Sequence, residues 1–493
     1  MSAYLLGIDI GTSACKAALF REDGSVAAQA AGEYKVFYPR AGWAEQDPDT
    51  WWRTVILVIR DLLAASGIEP GQIAGIGVDG QSWSAIAMDG DGNVLCPNPI
   101  WTDTRAGDVC EAVKREIPEE ELFSLCGNPL QPSYTLPKIL WYKQHLPDVY
   151  AKAAVILQSN SFIVYRLTGV LSHDLSQGYG CHCFDMRKGA WDDAMCDRLG
   201  IRRSLLPPLF ACHQVVGRVN SAAAELSGLL AGTPVVAGGL DAACGTLGAG
   251  VIETGQTQEQ GGQAGGMSIC TDAYAADMRL ILGMHVVPGR WLLQGGTTGG
   301  GGALKWLRET ICPELSFDEM SSLAGSVPAG SEGVLFLPYM AGERSPIWNP
   351  NASGVFFGLG YAKSRAHMIR AVMEGVAYAL KHNLETAHKA GADVKTMRAM
   401  GGSANSLVWT QIKADVTGKE INVPASDTAT TLGAALLAGV GTGMYLSFRE
   451  AVEKSIAIRR THVPNPALQD AYGKGYHKYR ALYESLKPLM QSN

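Results

Sequence analysis

The sequence predicts an α/β protein of two similar halves with a cleft between them, and three observations predict it. A chain of 493 residues is long enough for two large domains at ~100–200 residues each. It opens as an apolar strand, a glycine turn and a second apolar strand over residues 4–20. After Gly250 the pattern restarts, with residues 258–271 again reading as strand, glycine turn and strand. The expected division is therefore 1–250 and 251–493.

Taken in order, residues 4–10 form a buried apolar run, Gly11-Thr12-Ser13 a tight turn and residues 14–20 a second strand, with Asp23-Gly24 as a hairpin turn. Residues 73–79 are another apolar run that stops at polar groups. Residues 234–240 repeat this and lead into Asp241. Helical patterns fall between, from Asp49 to Ala65 and from Pro137 to Gln144. In the second half a long helix from His367 to Lys389 precedes a strand near 397–402 that runs into Gly401-Gly402. The uncharged stretch from Thr428 to Phe448 is long enough to raise the membrane question. Its Gly433, Gly439, Gly441 and Gly443 favour a buried helix ending at a glycine turn.

Composition bounds the function. Apolar residues at 47 % and charged residues at 18 % are those of a globular chain with cores large enough to need no staple. The net charge of −6 argues against a general nucleic-acid binder, which needs a basic face. The 11 cysteines are scattered without a CxxC pair; reduced thiols in a cytoplasmic protein are expected. Cys181-His182-Cys183 lacks the spacing and the second pair of a zinc site. Asp9 interrupts the first apolar run and no basic stretch precedes it, so no secretory leader is expected.

Three motifs carry chemistry. In Gly7-Ile-Asp9-Ile-Gly11-Thr12-Ser13 an acid and a Gly-Thr-Ser turn end a buried strand. Such a glycine lets backbone approach a phosphate, and the turn's amides and hydroxyls can bind its oxygens. Asp9 is placed to hold Mg²⁺ directly or through water. A plain hairpin turn uses the same residue types. In Gly238-Gly239-Leu240-Asp241 an acid beside glycines can take the proton of an attacking hydroxyl, or simply cap the following helix. The glycine stretches Gly295–Gly302 and Gly401-Gly402-Ser403-Ala404-Asn405 each precede a helix, as suits a bound nucleotide. Gly75-Ile-Gly77-Val-Asp-Gly80 matches GxGxxG by letter but lies within a strand, so the dinucleotide reading fails.

Together these residues resemble the FGGY family of carbohydrate kinases, whose domains are ribonuclease H-like, as in actin and hexokinase. The resemblance runs through GIDIGT at 7–12, GWAEQDP at 42–48, GQSW at 80–83, WTDTRA at 101–106 and GGLDAACGTLGAG at 238–250. It continues with LPYMAGERSPIWNPNASGVFFGL at 337–359, a C-terminal signature over Gly354–Gly375 and an adenosine-segment likeness in GGSANSLVWTQIKADV at 401–416.

The resemblance implies two ribonuclease H-like domains that close on substrate, sugar mainly on the first and ATP on the second. It implies Asp241 as catalytic base, Asp9 and Asp241 as Mg²⁺ residues, and Gly11, Thr12 and Ser13 as the first phosphate loop. Gly262, Gly301, Lys305, Gly402 and Asn405 fall at nucleotide contacts. Gln81, Ser82, Trp83, Trp101, Asp103 and Asp241 fall on sugar-facing segments. Within the family the chain is most similar to the xylulokinase branch, through GWAEQDP, Trp51-Trp52 and Asp103. D-xylulose is the first expected substrate, then another pentulose, a hexulose or a polyol. A non-catalytic sugar sensor on the same fold is the alternative. The expected partners are a small sugar and ATP, with no nucleic acid and no membrane; a homodimer is a family-level expectation.

Two departures stand out. Ser82-Trp83 replaces the Met-His typical of that branch. Trp83 is expected either to stack on the carbon face of the sugar or to turn into the core. The second phosphate loop reads Gly261-Gly-Gln-Ala-Gly-Gly266 in place of Gly-Thr-Ser; amides remain but hydroxyls are gone.

Overall fold

A computed structural model describes residues 3–426 and 428–491. The chain divides into two compact units. The first is built from the chain up to Ile252, with Leu282–Arg290 and Thr428–Ile456. The second is built from Glu253–Ile281, from Trp291 into the mid-420s, and from Ala457 onward. A single division at residue 250 assigns both returning segments to the second half; the structure gives them to the first.

The first unit opens with the meander β1 (Tyr4–Ile10), β2 (Ala14–Phe20) and β3 (Val26–Glu33), joined antiparallel. Helix α1 (Pro48–Ser66) follows. Asp47 caps it by accepting from the Asp49 N–H, Pro48 opens it and Gly67, left-handed, ends it. Its Trp51, Val55, Val58, Ile59 and Leu62 are buried, each worth ~1.5–3 kcal/mol of burial. Strand β4 (Ile73–Gly80) lies parallel to β1. Further along the chain lie helix α2 (Thr135–His145), β5 (Val215–Arg218) and β6 (Pro234–Val236). β6 is parallel to β4, and β5 antiparallel to β6. Gly238, at φ +77°, breaks the expected 234–240 run, and the short β7 (Gly239–Leu240) pairs with the end of β4. Helix α3 (Asp241–Gly248) starts at the predicted base.

The second unit repeats this plan. β8 (Gln256–Gly261), β9 (Gly265–Thr271) and β10 (Trp291–Thr297) form the antiparallel meander. Helices α4 (Gly301–Ile311), α5 (Phe317–Gly325) and α6 (Arg365–Lys389) follow. β11 (Thr396–Met400) lies parallel to β8. After α7 (Leu407–Thr417), β12 (Glu420–Pro424) lies parallel to β11. The last strand, Ile458–His462, is antiparallel to β12. The pairing sense across the six strands matches that of the first unit, but the outer antiparallel strand follows β12 in the chain, where β5 precedes β6.

Helix α8 (Ala429–Gly441) is the uncharged segment, and it belongs to the first unit. It lies on β1 and β4, where glycines let its backbone in. A Cβ on Gly7 would sit 1.9 Å from the Thr431 carbonyl oxygen, and one on Gly77 equally close to that of Ala434. Gly433 and Gly248 make the same allowance between α8 and α3. That packing is why the segment returns to the first unit. No helix among the described residues is long and apolar enough to cross a membrane.

Candidate active site

In the first unit three adjoining strand ends each carry an aspartate. Asp9 on β1 stands opposite Asp79 on β4, and Asp241 follows β7, whose Gly239 is registered with Asp79. Asp9 is buried, 3.7 Å from the Lys16 Nζ; burial raises its carboxyl and Lys16 partly offsets this. Asp79 is fully buried, and neither of its oxygens has a hydrogen-bond donor among the described residues. Burial, then the charges of Asp9 and Asp241, hold its carboxyl well above the usual range. Asp241 is half-buried. Its Oδ1 accepts from the Ala242 N–H at 2.6 Å, while burial and then Asp9 push the carboxyl up to about 7. A carboxylate poised near neutrality suits a general base. Sequence reading assigns Asp79 no role, although the signal is present: three apolar runs end in aspartate.

The first phosphate loop is held by its surroundings. The Trp101 Nε1–H donates to the Thr12 Oγ1 at 2.8 Å, Gln46 Nε2 to the Thr12 carbonyl at 2.7 Å, and the Tyr34 hydroxyl to the Gly11 carbonyl at 2.6 Å. Gln81 Nε2 donates to Gln46 Oε1 at 2.9 Å, leaving Gln81 Oε1 buried without a partner among the described residues. Trp101, expected on a sugar-facing segment, therefore also braces the loop. Ser13 is exposed, and Gly11, Thr12 and Ser82 are half-buried.

Asp103 does not fit a sugar contact. It is fully buried, its oxygens taken by the Ala44 N–H at 2.7 Å and by the Arg105 backbone and guanidinium. Its partner Ala44 is 59 residues away, which is why the chain order hides the role. Trp83 is 6 % exposed and packs against Tyr134 and Tyr179, at 4.4 and 5.9 Å between ring centroids. The core arrangement thus holds for its ring, yet its Nε1–H finds no acceptor among the described residues. Its backbone is left-handed at φ +58°, a rare conformation for a bulky residue. Lys138, buried on α2, holds it there: its Nζ donates to the Trp83 and Ile100 carbonyls at 2.7 and 2.9 Å, tying the two expected sugar-facing segments together.

In the second unit, Gly262, Gly301, Lys305, Gly402 and Asn405 line one cavity of about 550 Å³. Leu304, Phe317 and Trp409 give it apolar walls, as a purine requires. The Lys305 side chain is 55 % exposed and only 3.8 Å from Glu309, a loose pair that leaves its ammonium free to reach an anion. The α4 N-terminus is less open than its glycines suggest. The Gly301 and Gly302 N–H groups already donate to the Gly262 and Gln263 carbonyls, at 2.7 and 2.9 Å. The amides of Gln263 and Ala264, in the turn itself, donate to no group among the described residues. Asn405 Oδ1 accepts from Arg459, which leaves the side-chain NH₂ to donate to a ligand. Phe317 and Ser321 also line the cavity, from a helix whose Ser316–Glu319 capping box gives no hint of a site.

Comparison with known proteins decides the family. The model of the FGGY family's N-terminal domain matches residues 4–248, and that of its C-terminal domain residues 272–442. The chain belongs to the FGGY family of carbohydrate kinases. A xylulose kinase of Bacillus subtilis (strain 168) is 30 % identical over 488 residues, 99 % of this chain and 98 % of the relative. An L-xylulose/3-keto-L-gulonate kinase of Escherichia coli (strain K12) is also 30 % identical, over 495 residues, covering 99 % of this chain and 98 % of that one. Among solved structures, a xylulose kinase from Rhodospirillum rubrum superposes with a TM-score of 0.92 at 31 % identity, over 99 % of this chain and 100 % of that one.

FGGY kinases use ATP, and a metal comes with the phosphates. Among the described residues no group of three or more His, Cys, Asp or Glu converges as a metal cage. Mg²⁺ is ordinarily held by one or two carboxylates, waters and the substrate's phosphates. Asp9 and Asp241 are hard-oxygen donors of that kind; burial raises both carboxyls, and at Asp241 the charge of Asp9 adds to it, a repulsion a cation would relieve.

Proposed function

We propose that this kinase transfers the γ-phosphoryl group of ATP to a primary hydroxyl of a small ketose, D-xylulose before any other, giving D-xylulose 5-phosphate. The observation that carries the chemistry is Asp241, half-buried at a strand end with a carboxyl near 7. Asp241 accepts the hydroxyl proton as the oxygen bonds to the γ-phosphorus and the bond to ADP breaks. Positioning and electrostatics carry most of such a transfer. The Thr12 loop, braced by Trp101, Gln46 and Tyr34, and the amides of Gln263 and Ala264 supply donors for phosphate oxygens. The second unit's cavity takes the nucleotide, its base between the apolar walls and Lys305 toward the phosphates. Mg²⁺, held by Asp9 and Asp241, would neutralise phosphate charge.

The sugar reading is supported by relatives named for xylulose, and at the same identity by one named for L-xylulose and 3-keto-L-gulonate. Trp83 and Gln81, whose Oε1 has no partner among the described residues, are the sugar-facing groups proposed from the first unit; Asp103 is left out. An ADP-release screen across pentuloses, hexuloses, pentitols and glycerol tests the reading. D-xylulose is expected to give the highest kcat/KM. Release with no sugar above the no-acceptor background would overturn it.

A further inference from the structure

The second phosphate loop has lost its hydroxyls, and directly behind it lies a buried ion pair. Lys413 on α7 donates to Glu259 Oε1 at 2.6 Å and to Ser403 Oγ at 2.7 Å. Its Nζ also stands 5.1 Å from the Trp409 ring centroid. Both charged side chains are nearly inaccessible, at 2 % for Lys413 and 4 % for Glu259. The three partners belong to three elements that wall the cavity, and of the three only Ser403 lines it. Glu259 is on β8, which runs into Gly261 and Gly262. Ser403 lies in the turn that carries Gly402 and Asn405. Lys413 shares α7 with Trp409. The fit is tight: a Cβ on Gly261 would stand 1.5 Å from Ser403 Oγ and 3.1 Å from Lys413 Nζ.

Stability alone does not account for this arrangement. Glu259 Oε2 is buried with no partner among the described residues. Replacing a buried pair by apolar side chains of the same volume is often neutral or stabilising, and an orphaned oxygen adds a desolvation cost. What the pair supplies is direction: one ammonium fixes a strand, a turn and a helix at a single point.

We propose that Glu259, Lys413 and Ser403 form a positioning unit that sets the Gly261–Gly262 backbone against the Gly402–Asn405 turn, and so sets nucleotide affinity. The proposal rests on the reading of this cavity as the nucleotide site. It gives the hydroxyl-free loop its rigidity from behind instead of from contacts with phosphate.

The test is calorimetric titration of the full-length protein with Mg·ADP, with melting temperature and the KM values for ATP and sugar measured in parallel. Lys413→Met is expected to raise the ADP Kd at least tenfold and the ATP KM with it, while the sugar KM stays within twofold. Lys413→Met strands a buried carboxylate, so the double variant E259M/K413M is made as well. It removes both charges and is expected to recover the melting temperature but not the nucleotide affinity. Recovery of both would show that the pair only holds the core, and would overturn the proposal. If K413M does not fold, the double variant alone decides. A wild-type protein that binds no ADP would overturn the nucleotide reading itself.

Discussion

The two units share a strand plan and differ in how its central strands end. In the first, the parallel pair β1 and β4 ends with Asp9 opposite Asp79. In the second, the parallel pair β8 and β11 brings Gln260 opposite Met400, and each strand then runs into glycine, Gly261 and Gly401. Acids at strand ends gather charge that is raised by burial and ready to take a proton. Glycines at the same ends leave backbone bare, so an anionic ligand can come close. One scaffold thus does two kinds of chemistry by changing the last residues of its strands.

The sharpest way to break the comparison is at the acid ends. Asp241→Asn keeps the shape but removes the proton acceptor. It is expected to lower kcat ~10²–10⁴-fold with little change in sugar KM. A variant with near wild-type kcat would strip the first unit of its role. The wild-type pH profile tests the same residue more gently. Asp241 must be ionised to act, and its carboxyl is raised from the ordinary range to about 7. Below about pH 7 the protonated form dominates, so kcat/KM should fall about tenfold per pH unit. Asp241→Asn should abolish this limb; a flat wild-type profile down to about pH 5.5 would count against the assignment.

At the glycine ends the expected effects are smaller. Gly261→Ala drives a methyl into Ser403 Oγ. Overpacking of this kind costs ~1–3 kcal/mol, and is expected to raise the ATP KM about tenfold, leaving the sugar KM within about twofold. An equal rise in both would erase the division of labour between the units. The mildest change is Trp83→His. If the unpaired Nε1–H faces the sugar, the pentulose-to-hexulose ratio of kcat/KM shifts by about three- to tenfold at fixed ATP KM. If the ring serves only the core, all sugars fall together and the melting temperature drops.

Most of the fold was legible because it lies in local pattern. Apolar runs marked β1, β2 and β4, and the helical pattern from Asp49 to Ala65 marked the body of α1. The restart after Gly250 announced the repeated plan. The site was legible where one motif carried it, as with Asp9 and Asp241 or the glycines around the cavity. It was hidden where long-range packing decides. Asp79 becomes a partner of Asp9 only once β4 crosses over to lie beside β1. Lys138 and Lys413 sit in helices where a lysine usually faces water, and nothing nearby in sequence predicts their buried acceptors. Asp103 resembled a sugar ligand until Ala44 and Arg105 were folded onto it. The return of α8 to the first unit was invisible because the glycine gaps that receive it on β1 and β4 lie more than 350 residues upstream.

That return has a consequence for synthesis. The first sheet is translated early, but the helix that covers its glycine-lined face at Gly7 and Gly77 ends only at Gly441. The 364 residues from Gly77 to Gly441 take roughly 18 to 73 s at ~5–20 residues per second, and only then is that helix complete. Through that interval the nascent first unit carries an open apolar face with no part of its own chain to cover it. A chain halted before Ala429 leaves the face bare for good, so truncated products should be chaperone clients or aggregates, and a peptide spanning Ala429–Gly441 supplied in trans should rescue them.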